Sequence, residues 1–195
     1  MTATTVPQCA PGRRLPAGCL INVPRRPEDR RIHFLDLDNL HSGGCPSIKQ
    51  TKRVYAQYQD LVVAPGDVGF GAAQLLGSGS VATLGLRDLW SRWPVRLARG
   101  RNGADKALIA DIDYALPKHQ RGHRFRDVVI GSGDKIFASS VRRLRKEGRT
   151  VHLVIAHPSN LGPELELTAN GCIWLLPTGE CLRHRAIAGA HGLAA

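Results

Sequence analysis

The chain has 195 residues, of which 43% are hydrophobic, 22% charged and only 5% aromatic. This composition excludes collagen-like, coiled-coil and disulfide-scaffold architectures, and no stretch approaches the ~20 apolar residues of a membrane span. Lysine and arginine outnumber aspartate and glutamate by 27 to 16, which gives a formal net charge of +11 and favours a nucleic-acid partner over a general arginine bias.

The two ends of the chain differ in composition from the middle. Residues 1–29 are rich in proline and arginine, which favours a basic tail or an irregular wrap. Residues 178–195 are expected to form a C-terminal tail, so that one domain covers residues 30–177. The five cysteines are odd in number and lack a Cys-x-x-Cys pair, which indicates neither a disulfide framework nor a zinc site and favours a reducing cytoplasm.

Between these ends, short apolar runs alternate with amphipathic stretches. In the stretch 134–147, for example, Ile136, Val141 and Leu144 recur on one face of a helix. In chain order the pattern predicts a strand at 32–36, a helix at 47–60, a strand at 61–64, a helix at 69–76, a strand at 93–98, a helix at 103–116, a strand at 127–130, a helix at 134–147, a strand at 150–156, a helix at 160–169 and a last strand at 172–176. Such alternation is typical of βαβ units, so we expect an α/β fold: a three-layer α/β/α sandwich with a mainly parallel, Rossmann-like central sheet.

Acidic side chains follow three of the predicted strands. Asp36 and Asp38, with Asn39, follow the first strand, Asp105 opens the helix after the strand at 93–98, and Asp134 follows a later strand. Because ligands bind beyond the carboxyl ends of parallel strands, we expect these acids to meet at one edge. Grouped carboxylates repel one another and are stable together mainly around a cation, and an oxygen-rich site suits Mg²⁺ or Mn²⁺. Taken alone, Asp134 also fits an ordinary helix N-cap.

Three segments resemble the motifs of one nuclease family. FLDLDNL at 34–40 matches an apolar strand that ends in Asp-x-x-Asn, and GADKAL at 103–108 matches Gly-x-Asp-x-x-Leu at the start of a helix. GSGDKIF at 131–137 matches Ser-Gly-Asp-x-Asp-Phe, except that Ile136 replaces the second acid. In order and spacing these segments resemble the NYN (LabA-like) domain of the PIN-like nuclease superfamily, and the resemblance spans about residues 30–177.

The resemblance implies a metal-dependent ribonuclease that hydrolyses phosphodiester bonds of RNA with Mg²⁺ or Mn²⁺. Asp36, Asp105 and Asp134 match the family's metal-binding acids, and Asn39 matches its strand-end asparagine. Asp111 matches a further acid of the family. Its offset of six residues from Asp105 is ~240° around and ~9 Å along a helix, so we place it outside the cluster.

The departure at Ile136 removes one carboxylate from the expected site. Either Asp38 or water takes its place, or metal binding is weaker. The alternative function is therefore a PIN-like module, catalytically weak or inactive, that binds RNA or a protein partner. A third interpretation, a haloacid-dehalogenase-like phosphatase, fits Asp36 and Asp38 as its Asp-x-Asp opening but leaves Asp105 without a role.

Basic and hydroxyl side chains at the same edge are the expected nucleic-acid contacts, because cations and the N–H groups at helix starts attract phosphates. They are Arg99, Arg101, Lys106, Ser132 and Lys135. The loop 118–126 is also basic, but it precedes a strand, so we expect it at the opposite edge as a solvated loop. Single-stranded RNA is the expected partner. DNA and a homo-oligomer both stay open, since nothing in the sequence identifies a contact to a 2′-hydroxyl or a subunit interface.

Overall fold

The computed structural model describes residues 30–41, 47–75, 90–116 and 125–183. The expected basic tail at 1–29, all but the last two residues of the basic loop, and the part of the expected C-terminal tail after residue 183 lie outside these ranges. None of the helices inside them has the length and apolar character that a membrane span needs.

The described residues form a seven-stranded sheet with the strand order β3-β2-β1-β4-β5-β6-β7. In chain order the strands are β1 (Ile32–Asp36), β2 (Val68–Gln74), β3 (Val95–Ala98), β4 (Asp127–Gly131), β5 (Thr150–Ile155), β6 (Ile173–Leu175) and β7 (Glu180–Arg183). In the spatial order from β3 to β6, each strand is parallel to its neighbours, and β7 runs antiparallel to β6. The expected mainly parallel sheet is confirmed.

Five α-helices in the described ranges pack on this sheet. They are α1 (Leu37–Leu40), α2 (Ile48–Leu61), α3 (Gly103–Ala115), α4 (Ala138–Lys146) and α5 (Pro163–Thr168). A turn of 3₁₀ helix, Lys135–Phe137, leads into α4, and another, Pro158–Asn160, precedes α5. Helix α2 begins with a capping box, in which the Ser47 hydroxyl and the Gln50 side chain each accept from the other's backbone N–H, at 3.2 and 2.8 Å.

Two hydrophobic clusters, one on each face of the sheet, hold the three layers together. Phe34 of β1 shares a cluster with Leu108 of α3 and Val141 of α4. The next residue, Leu35, shares the other cluster with Tyr58 of α2. Successive side chains of a strand point to opposite faces, so β1 contributes to both clusters. Helices on both faces of one sheet confirm the expected α/β/α sandwich.

The segment after α2 departs from the prediction. Residues 61–64, predicted as a strand, include the end of α2 and the turn that follows, and most of 69–76, predicted as a helix, belongs to β2. The sequence of β2, VGFGAAQ, is rich in small residues, and a Cβ on Gly69 would lie 2.6 Å from the Trp93 ring. Close packing of the chain there outweighs the helix propensity of the alanines.

The sheet also continues beyond the expected last strand at 172–176. Glu180–Arg183 form β7 after a turn in which Gly179 has a φ of +67°, a conformation that glycine adopts readily. Trp174 of β6 pairs with Cys181 of β7. The sequence ECLR is short and half charged, so the apolar pattern did not predict it as a strand.

Candidate active site

An open cleft lies at the carboxyl edge of the sheet, where the strand order reverses between β1 and β4. Leu35 of β1 pairs with Gly131 of β4, so the next residues, Asp36 and Ser132, leave the sheet side by side. The cleft has a volume of about 640 Å³. Residues from the ends of β1, β2 and β4, the start of α3 and the loop between β5 and α5 line it.

Asp36, the last residue of β1, lines the cleft but is only 4% exposed. Its Oδ1 accepts a hydrogen bond from the Asn39 N–H at 3.2 Å, which caps α1. Its Oδ2 accepts from the Ser132 hydroxyl at 3.1 Å. These two bonds hold the carboxylate in place from both strands at the switch point.

Asp38, in the single turn of α1, is anchored from the neighbouring strand. Its Oδ2 accepts from the Gln74 N–H at 2.6 Å, while its Oδ1 is buried and has no hydrogen-bond partner. Burial raises the pKa of Asp38 to about 6, the bond from Gln74 opposes this, and the charge of Asp105 adds to it. The expected position of Asp38 beside the other acids is consistent with this interaction.

Asp105 lies in the first turn of α3 and lines the same cleft. Burial raises the pKa of Asp105, and the charge of Asp134 raises it further, whereas a side-chain hydrogen bond with Asp36 lowers it. Burial also raises the pKa of Asp36, and the charge of Asp105 is the next cause. Asp36 and Asp105 therefore line one cleft and influence each other's charge, at the edge of the sheet where the sequence predicted them.

The loop after β4 ties Asp134 to the rest of the site. The Gly133 N–H donates to Asn39 Oδ1 at 3.2 Å, and the Asp134 N–H donates to Ser132 Oγ at 3.2 Å. Asp134 Oδ1 accepts from the Ile136 N–H at 3.0 Å. Asp134 thus caps the 3₁₀ turn and also lines the cleft. The N-cap and the position among the acids, which the sequence offered as two interpretations, therefore occur together.

Residues 86–176 match the family model of the NYN domain. This part of the chain is similar to a NYN domain. The match agrees with the resemblance found in the motifs, and it includes the two that carry Asp105 and Asp134. The match begins after β1, so Asp36 and Asn39 lie outside the matched residues. The fold of the chain brings both of them to the cleft. No curated protein matches the chain. NYN domains are usually nucleases that act on nucleic acids and typically use divalent metals.

The acids of the cleft fit a divalent cation by their chemistry. In the described ranges, no three His, Cys, Asp or Glu side chains are grouped closely enough to hold an ion as they stand. Mg²⁺, however, commonly keeps several waters and takes only one or two carboxylates together with substrate phosphates. The Asp36–Asp105 pair meets that need, and Asp38 Oδ1 is a buried oxygen without a partner.

Two expected site residues lie away from the open part of the cleft. Asp111 is buried on α3, where its Oδ1 is 2.6 Å from Nη2 of Arg96. That ion pair agrees with its expected place outside the cluster and leaves no reason to count it as a metal ligand. Ser132 is fully buried, and its hydroxyl hydrogen goes to Asp36. Ser132 therefore orients Asp36, and the phosphate contact expected of it is corrected.

The other residues expected to contact nucleic acid are exposed in the cleft or beside it. Lys135 lines the cleft. Arg99, Arg101 and Lys106 are exposed in the β3–α3 loop and the first turn of α3, on either side of the cleft residue Asn102. All four side chains are accessible to a phosphate backbone, and their contacts with it stay predictions.

Four polar side chains that line the cleft were not among the expected site residues: Gln74, Asn102, Ser159 and Asn160. Gln74 was missed because its strand was predicted as a helix. Asn102 has a φ of +56°, and no other non-glycine residue among those described has a positive φ. An asparagine after Arg-Gly-Arg at a helix start is a usable signal for that conformation, since asparagine tolerates it better than most residues.

Proposed function

We propose that this NYN domain is a metal-dependent ribonuclease that hydrolyses phosphodiester bonds of single-stranded RNA in the cytoplasm. The observation that carries the proposal is the convergence of Asp36, Asp105 and Asp134 in one open cleft at the switch point of the sheet. The charge of Asp105 raises the pKa of Asp36, and the charge of Asp134 raises the pKa of Asp105, as expected of carboxylates that share one site.

Asp36 and Asp105 would hold the Mg²⁺ or Mn²⁺ ion, with Asp134 close by. When bound, such an ion lowers the pKa of a coordinated water and polarises a phosphoryl oxygen. In the overall reaction a water oxygen bonds to phosphorus, the bond to the leaving sugar oxygen breaks, and the proton lost by water is balanced by one gained at that oxygen. Asn39, held through its Oδ1 by the Gly133 N–H, keeps its NH₂ group available to orient a ligand.

The substrate assignment is supported by charge and shape. The chain has a formal net charge of +11, and exposed Arg99, Arg101 and Lys106 flank the acidic cleft. Cations around the rim attract the phosphate backbone without reading the sequence. The cleft is open, so an extended single strand has access to the acids.

The proposal is tested by incubating mixed-sequence single-stranded RNA with the full chain and Mg²⁺, Mn²⁺ or EDTA. We expect metal-dependent cleavage that falls about 100-fold or more in Asp36→Asn, Asp105→Asn and Asp134→Asn, because several kcal/mol of charge stabilisation are lost. Asp113→Asn is the matched control, since Asp113 lies on α3 like Asp105 but is exposed and paired with Arg143 outside the cleft. Equal activity in all four variants would contradict the assignment.

Metal binding has a second readout that does not depend on cleavage. Mn²⁺ should raise the melting temperature of the native chain, because a ligand that binds only the folded state stabilises it. Asp105→Asn should lose this response, whereas Asp113→Asn should keep it. An equal response in the native chain and Asp105→Asn would place the ion elsewhere.

A second candidate function, RNA binding without cleavage, is favoured by one observation. Ile136 stands where the resemblance expects an acid, and it packs partly buried against the main hydrophobic cluster. Salt-sensitive RNA binding in EDTA, with no cleavage under any metal, would establish this function in place of the nuclease.

A further inference from the structure

We propose that the cleft binds a single divalent cation and that the Lys135 ammonium supplies the second positive charge that the scissile phosphate needs. The inference rests on the proposed function, because it concerns the same cleft. The observation that supports the inference is the unequal distribution of charge between the two sides of the cleft.

The charged residues that β1, α1 and α3 contribute to the lining are all acidic. This side contributes Asp36, Asp38 and Asp105 to the lining, and none of the described lining residues from these elements is basic. The charge of Asp105 acts on both Asp36 and Asp38, so the three carboxyls lie within electrostatic reach of one another. One dication on this side relieves that repulsion.

The side formed by the loop after β4 is close to neutral. Asp134 contributes one carboxylate, and one of its oxygens already accepts the Ile136 N–H. Lys135 follows directly and is the one basic side chain among the described residues that line the cleft. Ile136 packs against the main hydrophobic cluster and offers no oxygen. This side therefore holds one acid and one ammonium.

A second ion would need carboxylates on the side where Lys135 stands. In two-ion sites the cations lie ~3.5–4 Å apart and share the attacking and leaving oxygens between them. Asp134 is the one acid that this side contributes to the described lining, and Ile136 occupies the position where the resemblance expects a further acid. The positive charge of Lys135, the residue after Asp134, would also oppose a second dication.

Lys135 is placed to do the work of that ion on the substrate. Its side chain is exposed, and its Cβ lies 3.2 Å from the Cβ position of Gly162, so the start of the side chain is held against the β5–α5 loop. A lysine ammonium is a compact point charge that binds phosphate oxygens. On a scissile phosphate it stabilises the negative charge that develops during bond breaking.

Counting bound Mn²⁺ by electron paramagnetic resonance tests the number of ions. We expect one Mn²⁺ for each native chain and two for the double variant Lys135→Ser/Ile136→Asp, with one for the neutral control Lys135→Ser/Ile136→Asn. Two ions in the native chain would overturn the inference and leave the nuclease intact. No Mn²⁺ on a native chain that also fails to cleave would overturn the proposed function as well.

Steady-state kinetics test Lys135 separately and do not depend on a substitution in the core. We expect Lys135→Ala to lower kcat about 10- to 100-fold, the loss typical of one charge-assisted hydrogen bond, with a smaller change in KM. It should still bind one Mn²⁺. Lys146→Ala, at the exposed end of α4 outside the cleft, is the control and should keep kcat. An unchanged kcat in Lys135→Ala would overturn the inference, and so would a second Mn²⁺ site in the native chain if Ile136→Asp fails to fold.

Discussion

The position of Asp134 depends on the glycine that precedes it. A Cβ on Gly133 would lie 2.7 Å from the carbonyl carbon of Asn160 and closer still to its oxygen. The Gly133 carbonyl also accepts from the Gly162 N–H at 2.8 Å. The loops after β4 and β5 are therefore in direct backbone contact. The β5–α5 loop, which lines one side of the cleft, packs against the loop that carries Asp134.

Gly133→Ala should push these two loops apart. Overpacking of this kind typically costs about 1–3 kcal/mol in the free energy of unfolding, and the displaced Asp134 should lower cleavage more than stability alone explains. Gly162→Ala is a graded comparison, because its Cβ would lie 3.2 Å from the nearest atoms of Lys135 and needs a smaller shift. Urea denaturation and RNA cleavage measure the two effects. Equal effects of the two substitutions would argue against the steric explanation.

The sequence predicted where the acids are, but not what each polar residue does. Asp36, Asp105 and Asp134 were placed correctly in one cleft, because strand ends in a parallel sheet share an edge. Ser132 follows a strand in the same way, yet the pairing of Leu35 with Gly131 brings its hydroxyl against Asp36 and away from solvent. That difference depends on strand register, which the sequence pattern does not specify.

At the scale of elements, β2 shows how packing overrides local preference. Its run VGFGAAQ has no strong strand former besides valine and phenylalanine, and alanine favours helices. In the sheet, however, Gly69 leaves room for the Trp93 ring, and Trp93 also lies 4.9 Å, between ring centroids, from His33 of β1. The strands β1, β4 and β5 were predicted because each is a continuous, largely apolar run. The identity of β2 instead depends on a contact across the sheet.

Gly69→Ala distinguishes the two assignments of this segment by the sign of its effect. In a strand packed against Trp93, the added methyl group should lower the free energy of unfolding by about 1–3 kcal/mol. In a helix, the same change would raise it by up to about 1 kcal/mol. Urea denaturation of the native chain and the variant measures the difference, and a stabilised variant would contradict the strand and its contact.

At the scale of the whole molecule, the two edges of the sheet treat buried acids in opposite ways. At the amino edge, Asp67 accepts from the Arg31 N–H and Nε, the Ala64 N–H and His33 Nε2, at 2.9 to 3.1 Å. Burial alone would raise the pKa of Asp67, but the bond from His33 and the charge of Arg31 lower it. At the carboxyl edge burial and the neighbouring carboxylates raise the pKa values of Asp36, Asp38 and Asp105. The acid of the amino edge is neutralised by its partners, whereas the acids of the carboxyl edge carry the repulsion that the proposed cation would relieve.

The amino-edge network makes the stability of the fold depend on pH. Burial lowers the pKa of His33 from 6.5 to about 4, although its hydrogen bond with Asp67 opposes this shift. The neutral ring contacts Asp67 through Nε2 and the Tyr58 hydroxyl through Nδ1. Between these two pKa values the unfolded chain binds a proton that the folded chain does not, so the contribution of His33 to stability falls as the pH is lowered from 6.5 towards 4. At pH 5 this contribution should be about 2 kcal/mol smaller than at pH 7.5, whereas the raised pKa values of Asp36 and Asp38 act in the opposite direction.

Urea denaturation at pH 7.5 and pH 5 measures this loss in the native chain and in His33→Gln. The variant should be less stable at both pH values, because it disturbs the buried contacts, but it should lose about 2 kcal/mol less between them. His157→Gln, on an exposed loop, removes one histidine without changing the core and should keep the native pH dependence. If the free energy of unfolding changed equally between the two pH values in His33→Gln and in the native chain, the pH dependence would come from groups other than His33.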